Sequence, residues 1–249
     1  MKVLGSAGKT AYYYKKIRGG GPYWTLNYKL KCKSTEYELS NWLKYSQLKV
    51  NNPIAIIAKE QISAVGQNTR KWFSPKGGIW LSAAYPIFSE KFSSEIYSLS
   101  LAIKLCEMFK MESIKVDLKW PNDIFFDSKK LIGFLPRVIS RGKEIMYIRV
   151  GIGMNLLNKT PKEGISLSEI LNTKLICENY WTAKILKVIH ESIDSNYKKE
   201  YIIKEANKYL LKKYLPRGYS SNEWLIKDID NNGNLRIYNK NNEKILKRF

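Results

Sequence analysis

Runs of apolar residues alternate with short polar segments along most of the chain, and they predict both helices and strands. Apolar residues spaced three or four positions apart predict helices at residues 34–48, 94–110 and 182–201. Continuous or alternating apolar runs predict strands at residues 52–61, 79–86, 114–120 and 145–157. Because these elements are interspersed without a regular βαβ rhythm, we predict an α+β fold with a mixed or antiparallel sheet.

Two turns divide the second half of the chain. Residues 123–139 (DIFFDSKKLIGFLPRVI) predict a hairpin that turns at Asp127 and Ser128. After residues 215–218 (LPRG) the pattern changes to short alternating strands around the pair Asn232–Gly233, which is typical of a tight hairpin turn. We therefore expect a small all-β appendage that begins near Pro216.

Composition limits the possible classes of protein. The 249 residues are 44% hydrophobic, which is enough for a sizeable core. The net charge of +21 favours acidic partners, but the lysines are spread along the whole chain, so we expect no DNA binding. No apolar run is long enough for a signal peptide or a membrane helix. Three widely separated cysteines without a CxxC pair indicate reduced thiols in a cytoplasmic protein.

The polar loop at residues 63–78 is the first candidate site. Gly66 would allow a ligand to approach the backbone, Arg70 and Lys71 could meet a phosphate or carboxylate, and Trp72 could supply an apolar wall. The loop lacks the Gly-Lys-Ser/Thr ending of a P-loop. An ordinary surface loop anchored by its aromatic residues remains an alternative.

The string KWPND at residues 119–123 is the second candidate. Pro121 ends the preceding strand because it has no N–H to donate, so Asn122 and Asp123 follow at a strand end. Asp123 could hold Mg²⁺ together with phosphate oxygens, and Lys119 and Lys130 could neutralise phosphate charge. A charged hairpin with a solvated tip is the structural alternative.

The string GIGMN at residues 151–155 is the third candidate. Its two glycines alternate with apolar residues, which also suits a tightly packed strand with a bulge. His190, the only histidine, falls in a predicted helix, so a Ser-His-Asp triad has no support.

Taken together and in this order, KWPND, KKLIG (residues 129–133) and GIGMN resemble the biotin protein ligases, also called biotin–[acetyl-CoA-carboxylase] ligases. STE at residues 34–36 and RKWFSPKGGIWLS at residues 70–82 extend the resemblance, which covers about residues 34–158. It implies a mixed, mostly antiparallel sheet with helices on one face and a small C-terminal β-barrel-like domain. The implied division is an N-terminal extension (1–33), a catalytic domain (34–213) and a small β domain (214–249).

The resemblance also implies a reaction, its reactants and roles for residues. Biotin and MgATP would give biotinyl-5′-AMP, and the biotin would pass to a lysine of a biotin carboxyl carrier domain. An apolar trough with Trp72 and Trp80 would hold the biotin. The implied catalytic residues are Lys130, Arg70, Lys119, Asn122 and Asp123, with Asp123 also near Mg²⁺. The implied biotin-binding residues are Ser34, Thr35, Glu36, Gln61, Val65, Gly66, Gln67, Lys130 and Gly133. The implied adenylate-binding residues are Arg70, Trp72 and Asn155.

Several departures keep other functions open. The family loop usually reads Gly-Arg-Gly-Arg, whereas residues 64–67 here are Ala-Val-Gly-Gln, and Glu36 replaces the usual asparagine. A degenerate biotin or adenylate binder, a lipoate or octanoate ligase and a nucleic-acid-binding protein are the alternatives. The residues before Ser34 do not resemble the helix-turn-helix domain of repressor members, so we expect no operator binding. An edge strand could pair in a homodimer.

Overall fold

The computed structural model describes residues 5–45, 52–66, 70–87, 94–141, 144–194, 198–216 and 218–247. The helices are α1 (Ser6–Ile17), α2 (Thr35–Tyr45), α3 (Ser94–Lys110), α4 (Leu167–Ile170), α5 (Glu178–Asp194) and α6 (Lys199–Tyr209). The strands are β1 (Thr25–Lys29), β2 (Ile54–Ala58), β3 (Ile79–Pro86), β4 (Asp117–Lys119), β5 (Asp123–Phe126), β6 (Lys129–Arg141), β7 (Glu144–Met154), β8 (Leu225–Ile229), β9 (Leu235–Tyr238) and β10 (Glu243–Leu246).

Seven strands form one sheet in the order β1-β2-β3-β7-β6-β5-β4. Only the edge pair β1–β2 is parallel, and the other neighbours are antiparallel. The mixed, mostly antiparallel sheet of an α+β fold is therefore confirmed. The segment predicted as an N-terminal extension supplies both α1 and the edge strand β1.

Most of the predicted elements have the expected positions. The structure places β3 and α3 at the predicted residues, and the hairpin turns at Asp127 and Ser128, both with positive φ. The single helix predicted at residues 182–201 is wrong, since Lys198 has a non-helical ψ of 142° and α6 begins at Lys199. Lys198 is the N-cap of α6, and an N-cap residue lies outside the helical conformation. Residues 195–197, which were part of the predicted helix, lie outside the described residues.

Different helices pack on the two faces of the large sheet. The main core joins one face to α3 and α5 through residues such as Ile57, Leu81 and Val150. On the other face, Leu39 of α2 packs on Ile54, Ile56 and Ala84. Because side chains alternate along a strand, consecutive residues of β2 pack into the two different cores. The same face also holds the candidate site.

The C-terminal strands form a separate antiparallel sheet, as predicted, in the order β10-β9-β8. Trp224, Ile226 and Leu235 bury their side chains in the main core. Trp120 Nε1 donates a hydrogen bond to the Gly233 carbonyl at 3.0 Å, which ties this sheet to the strand end that bears Asn122 and Asp123. In the part of the chain that the structure describes, no helix is long and apolar enough to cross a membrane.

A capping box at α4 makes a testable contribution to stability. Ser166 Oγ donates to Glu169 Oε2 at 2.6 Å, and the Ser166 N–H donates to the same oxygen at 2.8 Å. The Ser166 side-chain hydrogen bond lowers the pKa of Glu169. A carboxyl with a depressed folded-state pKa stabilises the fold above its ordinary pKa, and this stabilisation is lost as the pH falls through the folded-state value.

We expect Glu169→Gln to be less stable than the wild type at neutral pH, with the difference shrinking as the pH falls below the ordinary glutamate pKa. Urea unfolding measured between neutral and acidic pH checks this. Glu200→Gln, which changes an exposed glutamate in the first turn of α6, is the control. A pH-independent difference for Glu169→Gln would exclude the titration of this carboxyl as its cause.

Candidate functional site

One large pocket of about 450 Å³ lies on the α2 face of the sheet. Strand pairing aligns two rows of residues on this face of the sheet. The first row, from β4 to β3, is Lys119, Asp123, Gly133, Gly153 and Trp80. The second row, from β6 to β2, is Leu135, Gly151, Ser82 and Ile56. Along β7 the rows are two residues apart, which is about 7 Å.

Three glycines, Gly133, Gly151 and Gly153, leave part of the pocket floor without side chains. A Cβ on Gly153 would lie 2.6 Å from Nε1 of Trp72, and one on Gly133 would lie 2.9 Å from the same ring and from Cε of Lys130. Trp72 therefore covers these two glycines at a distance that no Cβ permits. Among the described residues, a Cβ on Gly151 would have only Ser82 Oγ at 3.9 Å and Glu36 Oε2 at 4.0 Å within 4 Å. The space above Gly151 is thus available to a ligand.

Uncharged hydrogen-bonding groups surround that space together with Glu36. The Thr35 N–H donates to Gln61 Oε1 at 2.7 Å, and Thr35 Oγ1 lies 3.1 Å from Gln61 Oε1 and 2.9 Å from Ser82 Oγ. Ser34 Oγ caps α2 by accepting from the Tyr37 N–H at 3.0 Å. We call Thr35, Glu36, Gln61 and Ser82 the Gly151 end of the pocket.

Charged groups gather at the opposite end. Lys130 Nζ lies 2.6 Å from Asp123 Oδ1 and 4.6 Å from the centroid of the Trp72 ring. Asn122 Nδ2 donates to the Phe134 carbonyl at 2.9 Å, which fixes the turn beside Asp123. We call Lys119, Asn122, Asp123 and Lys130 the lysine end of the pocket.

A β-bulge directs Lys130 into the pocket. In a regular strand, Lys130 and Gly133 would point to opposite faces, because they are three residues apart. The pairing of β5 with β6 shifts between Ile124 and Phe125, so that β6 has one extra residue. Leu131 and Ile132 consequently both point into the core, although they are adjacent in sequence. Lys130 is thereby returned to the face that carries Gly133.

The cations at the lysine end affect each other. The pKa of Lys119 is lowered, chiefly by burial and further by Lys130 and Arg70, while Asp123 acts in the opposite direction. The Lys119 ammonium also lies 5.0 Å from the Phe125 ring centroid. The two lysines beside Asp123, together with Arg70 of the pocket lining, give a positive potential that attracts an anionic ligand.

Two described parts of the polar loop, residues 64–66 and 70–72, pair with each other at the pocket; we call them together the glycine loop. Val65 and Lys71 form an antiparallel bridge, the Gly66 N–H donates to the Arg70 carbonyl at 2.7 Å, and the Trp72 N–H donates to the Ala64 carbonyl at 2.9 Å. This pairing places Trp72 against the floor and leaves Arg70 exposed at the rim.

The segment after β7 fixes the backbone of Lys130. The Lys130 N–H donates to the Glu163 carbonyl at 2.8 Å, and its carbonyl accepts from the Ile165 N–H at 3.0 Å. Asn155 Nδ2 donates to the same carbonyl at 3.2 Å. Asn155, predicted as an adenylate contact, thus also holds the strand that carries the catalytic candidate.

The structure brings the predicted site residues together around this pocket. Those that line it are Ser34, Thr35, Glu36, Gln61, Val65, Gly66, Arg70, Trp72, Lys119, Asn122, Asp123, Lys130, Gly133 and Asn155. Gln67 lies outside the described residues. The prediction that Trp80 lines the trough is wrong: its side chain is fully buried beside Trp72, with Nε1 donating to the Pro75 carbonyl at 2.8 Å.

Ser82 was not predicted as part of the site, and Gly151 was predicted only as a member of the GIGMN candidate, without a role of its own. Ser82 is a hydroxyl within the otherwise buried apolar strand at residues 79–86, and that contrast was the available signal. The role of Gly151 depends on what lies above it in the fold, so its sequence neighbours did not reveal it.

Comparison with known proteins identifies the class. The Biotin/lipoate A/B protein ligase family matches residues 30–155, half of the chain, and the chain therefore belongs to this family of protein ligases. A relative, the bifunctional ligase/repressor BirA of Escherichia coli, is 31% identical over 113 residues, which are 45% of this chain and 35% of that protein. The biotin–[acetyl-CoA-carboxylase] ligase of Paracoccus denitrificans is 25% identical over 104 residues, or 41% of this chain and 43% of that protein. The matched segment thus spans less than half the length of each of these relatives.

Solved structures share the fold over most of the chain. The biotin protein ligase of Aquifex aeolicus in complex with biotin and ATP superposes with a TM-score of 0.69 at 21% identity, covering 89% of this chain and 95% of that one. The biotin acetyl coenzyme A carboxylase synthetase of Helicobacter pylori with bound biotinylated ATP gives a TM-score of 0.61 at 21% identity, covering 89% and 99%. These likenesses confirm the fold class.

Proposed function

We propose that this chain is an active biotin protein ligase that joins biotin to a lysine of a carrier domain through biotinyl-5′-AMP. The observation that carries the proposal is the division of one pocket into two chemically different ends. Hydrogen-bonding groups surround the open space above Gly151, cations surround Asp123, and Trp72 lies between them. An elongated ligand with an uncharged polar head and an anionic tail fits that division.

The Gly151 end suits the ureido ring of biotin. The ring offers two N–H donors and one carbonyl acceptor, while Thr35, Ser82 and Gln61 offer hydroxyls and an amide. The glycine floor gives a flat ring room that any larger residue at position 151 would remove. Trp72 supplies an apolar surface for the rest of the molecule.

The lysine end suits activation by MgATP. The biotin carboxylate would attack the α-phosphate, form the mixed anhydride and release pyrophosphate. Lys130 would stabilise the negative charge that develops on the phosphate oxygens, and Lys119 and Arg70 would add to the positive potential. Asp123 is the carboxylate at this end that could meet the magnesium of the nucleotide, and Mg²⁺ commonly takes one or two carboxylates beside phosphate oxygens.

Transfer to the carrier requires the adenylate to be retained. The glycine loop could shield the mixed anhydride from water, with Arg70 and Lys71 as its cations. Two arginines of the usual family pattern are absent from residues 64–67, so we propose weaker retention than in relatives that carry them. A net positive surface would favour encounter with an acidic carrier domain.

We further propose cytoplasmic action. Three free cysteines suit a reducing compartment. Helix α1 packs on α5 and strand β1 pairs with β2, and this arrangement supports a role of both elements in the catalytic fold. The partners would be biotin, ATP and the carrier, and an edge strand of the sheet would pair in a homodimer.

Pyrophosphate release with biotin and MgATP, followed by mass analysis of an added apo carrier domain, tests the proposal. We expect pyrophosphate release and a mass gain of one biotin on the carrier. Pyrophosphate release without labelling would indicate an adenylate that is made but not passed on. Biotin binding without either signal would support a degenerate binder, and labelling with lipoate or octanoate in place of biotin would support the other branch of the family.

A further inference from the structure

The residue at position 36 forms an ion pair directly beside the open space of the pocket. Glu36 Oε1 lies 2.8 Å from a terminal nitrogen of Arg149, and the same nitrogen donates to the Glu36 carbonyl at 3.1 Å and to Ser40 Oγ at 2.8 Å. Arg149 precedes Gly151 by two residues on β7, so both lie on the α2 face of the sheet. Arg149 thus fastens the first turn of α2 to the pocket floor.

The second carboxylate oxygen of Glu36 has no partner within the described residues. Oε2 is shielded from solvent and accepts no hydrogen bond there. It lies 4.0 Å from the position of a Cβ on Gly151, which is the open part of the floor. A shielded carboxylate oxygen without a donor is costly, whereas a ligand donor placed above Gly151 would satisfy it.

We propose that Glu36 is a specificity-determining residue that accepts a hydrogen bond from a ureido N–H of biotin, and that Arg149 is its positioning residue. The inference rests on the proposed function, because it names the part of biotin that Oε2 would meet. Another group at the Gly151 end would bind the ureido carbonyl. Ser82 can donate its hydroxyl proton to the ureido carbonyl, whereas the Thr35 hydroxyl already donates to Gln61 Oε1 at 3.1 Å and Glu36 can only accept.

A carboxylate at position 36 should favour a cationic ligand, whereas an amide there should not. In 2-iminobiotin the ureido carbonyl is replaced by an imine, so the ring becomes a guanidinium when protonated. An acceptor with negative charge binds a cationic donor more strongly than a neutral donor. The ratio of 2-iminobiotin affinity to biotin affinity therefore reports on the charge at position 36, independently of how well the rest of the pocket is formed.

The experiment measures binding of biotin and of 2-iminobiotin by calorimetry, without ATP, to the wild type, Glu36→Gln and Arg149→Gln. We expect Glu36→Gln to weaken biotin binding about 10-fold and to lower the 2-iminobiotin to biotin affinity ratio by about a further 10-fold, as for loss of a charge-assisted hydrogen bond. Arg149→Gln should weaken biotin binding, and Arg149→Lys should restore part of it, since lysine keeps the charge but not the planar fork.

The controls separate this inference from other effects. Glu38→Gln removes a neighbouring carboxylate of α2 that pairs with Lys29 at 3.8 Å, and both affinities should remain unchanged. Ser40→Ala removes one acceptor of Arg149 and leaves Glu36 in place, so the affinity ratio should stay at the wild-type value even if α2 is loosened. A wild-type protein that binds no biotin would overturn the proposed function. Normal biotin binding with an unchanged ratio in Glu36→Gln would overturn this inference alone.

Discussion

Replacing Lys130 with methionine is expected to slow pyrophosphate release by about 10²–10³-fold, the loss seen when one group that stabilises a developing charge is removed. Lys130 is the cation whose backbone is held on both sides, by Glu163 and Ile165, and whose position depends on a bulge. The methionine keeps an apolar stem over Trp72 but removes the charge 2.6 Å from Asp123. The rate of the first step, measured with saturating biotin and MgATP, checks this.

The matched control is Lys129→Met, which removes an exposed lysine at the adjacent position of the same strand. Its rate should remain near that of the wild type. Lys130→Met also leaves Asp123 without its ion-pair partner, so urea unfolding of the variant separates a loss of stability from a loss of chemistry. If the variant is slow at a urea concentration and temperature at which it remains folded, the charge of Lys130 acts in the reaction. A wild-type rate in Lys130→Met would remove this residue from the mechanism.

Local patterns were sufficient to predict several of the elements, and they indicated candidate site residues that line one pocket. The apolar strand at residues 79–86 and the helix at residues 94–110 have strong patterns and clear ends, and the structure reproduces both. The hairpin at Asp127 and Ser128 was predictable because short polar residues tolerate positive φ there. The glycines and the cations at the site were likewise visible as motifs.

Contacts between residues far apart in sequence could not be predicted from local patterns. The bulge that directs Lys130 towards Gly133 depends on how β5 pairs with β6, and pairing register involves residues far apart in sequence. Whether a tryptophan lines a pocket or lies behind it depends on neighbours from other elements, so Trp72 and Trp80 could not be distinguished by type. The ion pair of Glu36 with Arg149 joins positions 113 residues apart, and no local pattern links them.

We expect Gly151→Ala to weaken ligand binding without loss of stability, and Gly153→Ala to lower stability. Gly151→Ala meets no described atom closer than 3.9 Å, so the fold should tolerate it, but the methyl group would occupy the space reserved for the ligand ring. Gly153→Ala would place a methyl group 2.6–2.7 Å from the Trp72 ring, so either the ring or the strand must move. Overpacking of this kind costs about 1–3 kcal/mol.

Calorimetry with biotin and urea unfolding of both variants distinguish these outcomes. Gly151→Ala should unfold at the wild-type urea concentration while binding biotin at least about 10-fold more weakly, the loss that follows from about 1.4 kcal/mol of steric cost. Gly153→Ala should lose stability, and its Trp72 fluorescence should shift because the ring leaves the floor. Since the two glycines share one strand and one face, any general effect of alanine in β7 would appear in both variants. Full biotin affinity in Gly151→Ala would mean that the ligand does not lie above Gly151. The proposed orientation has the ureido ring at that end and the carboxylate at Lys130, and this result would overturn it.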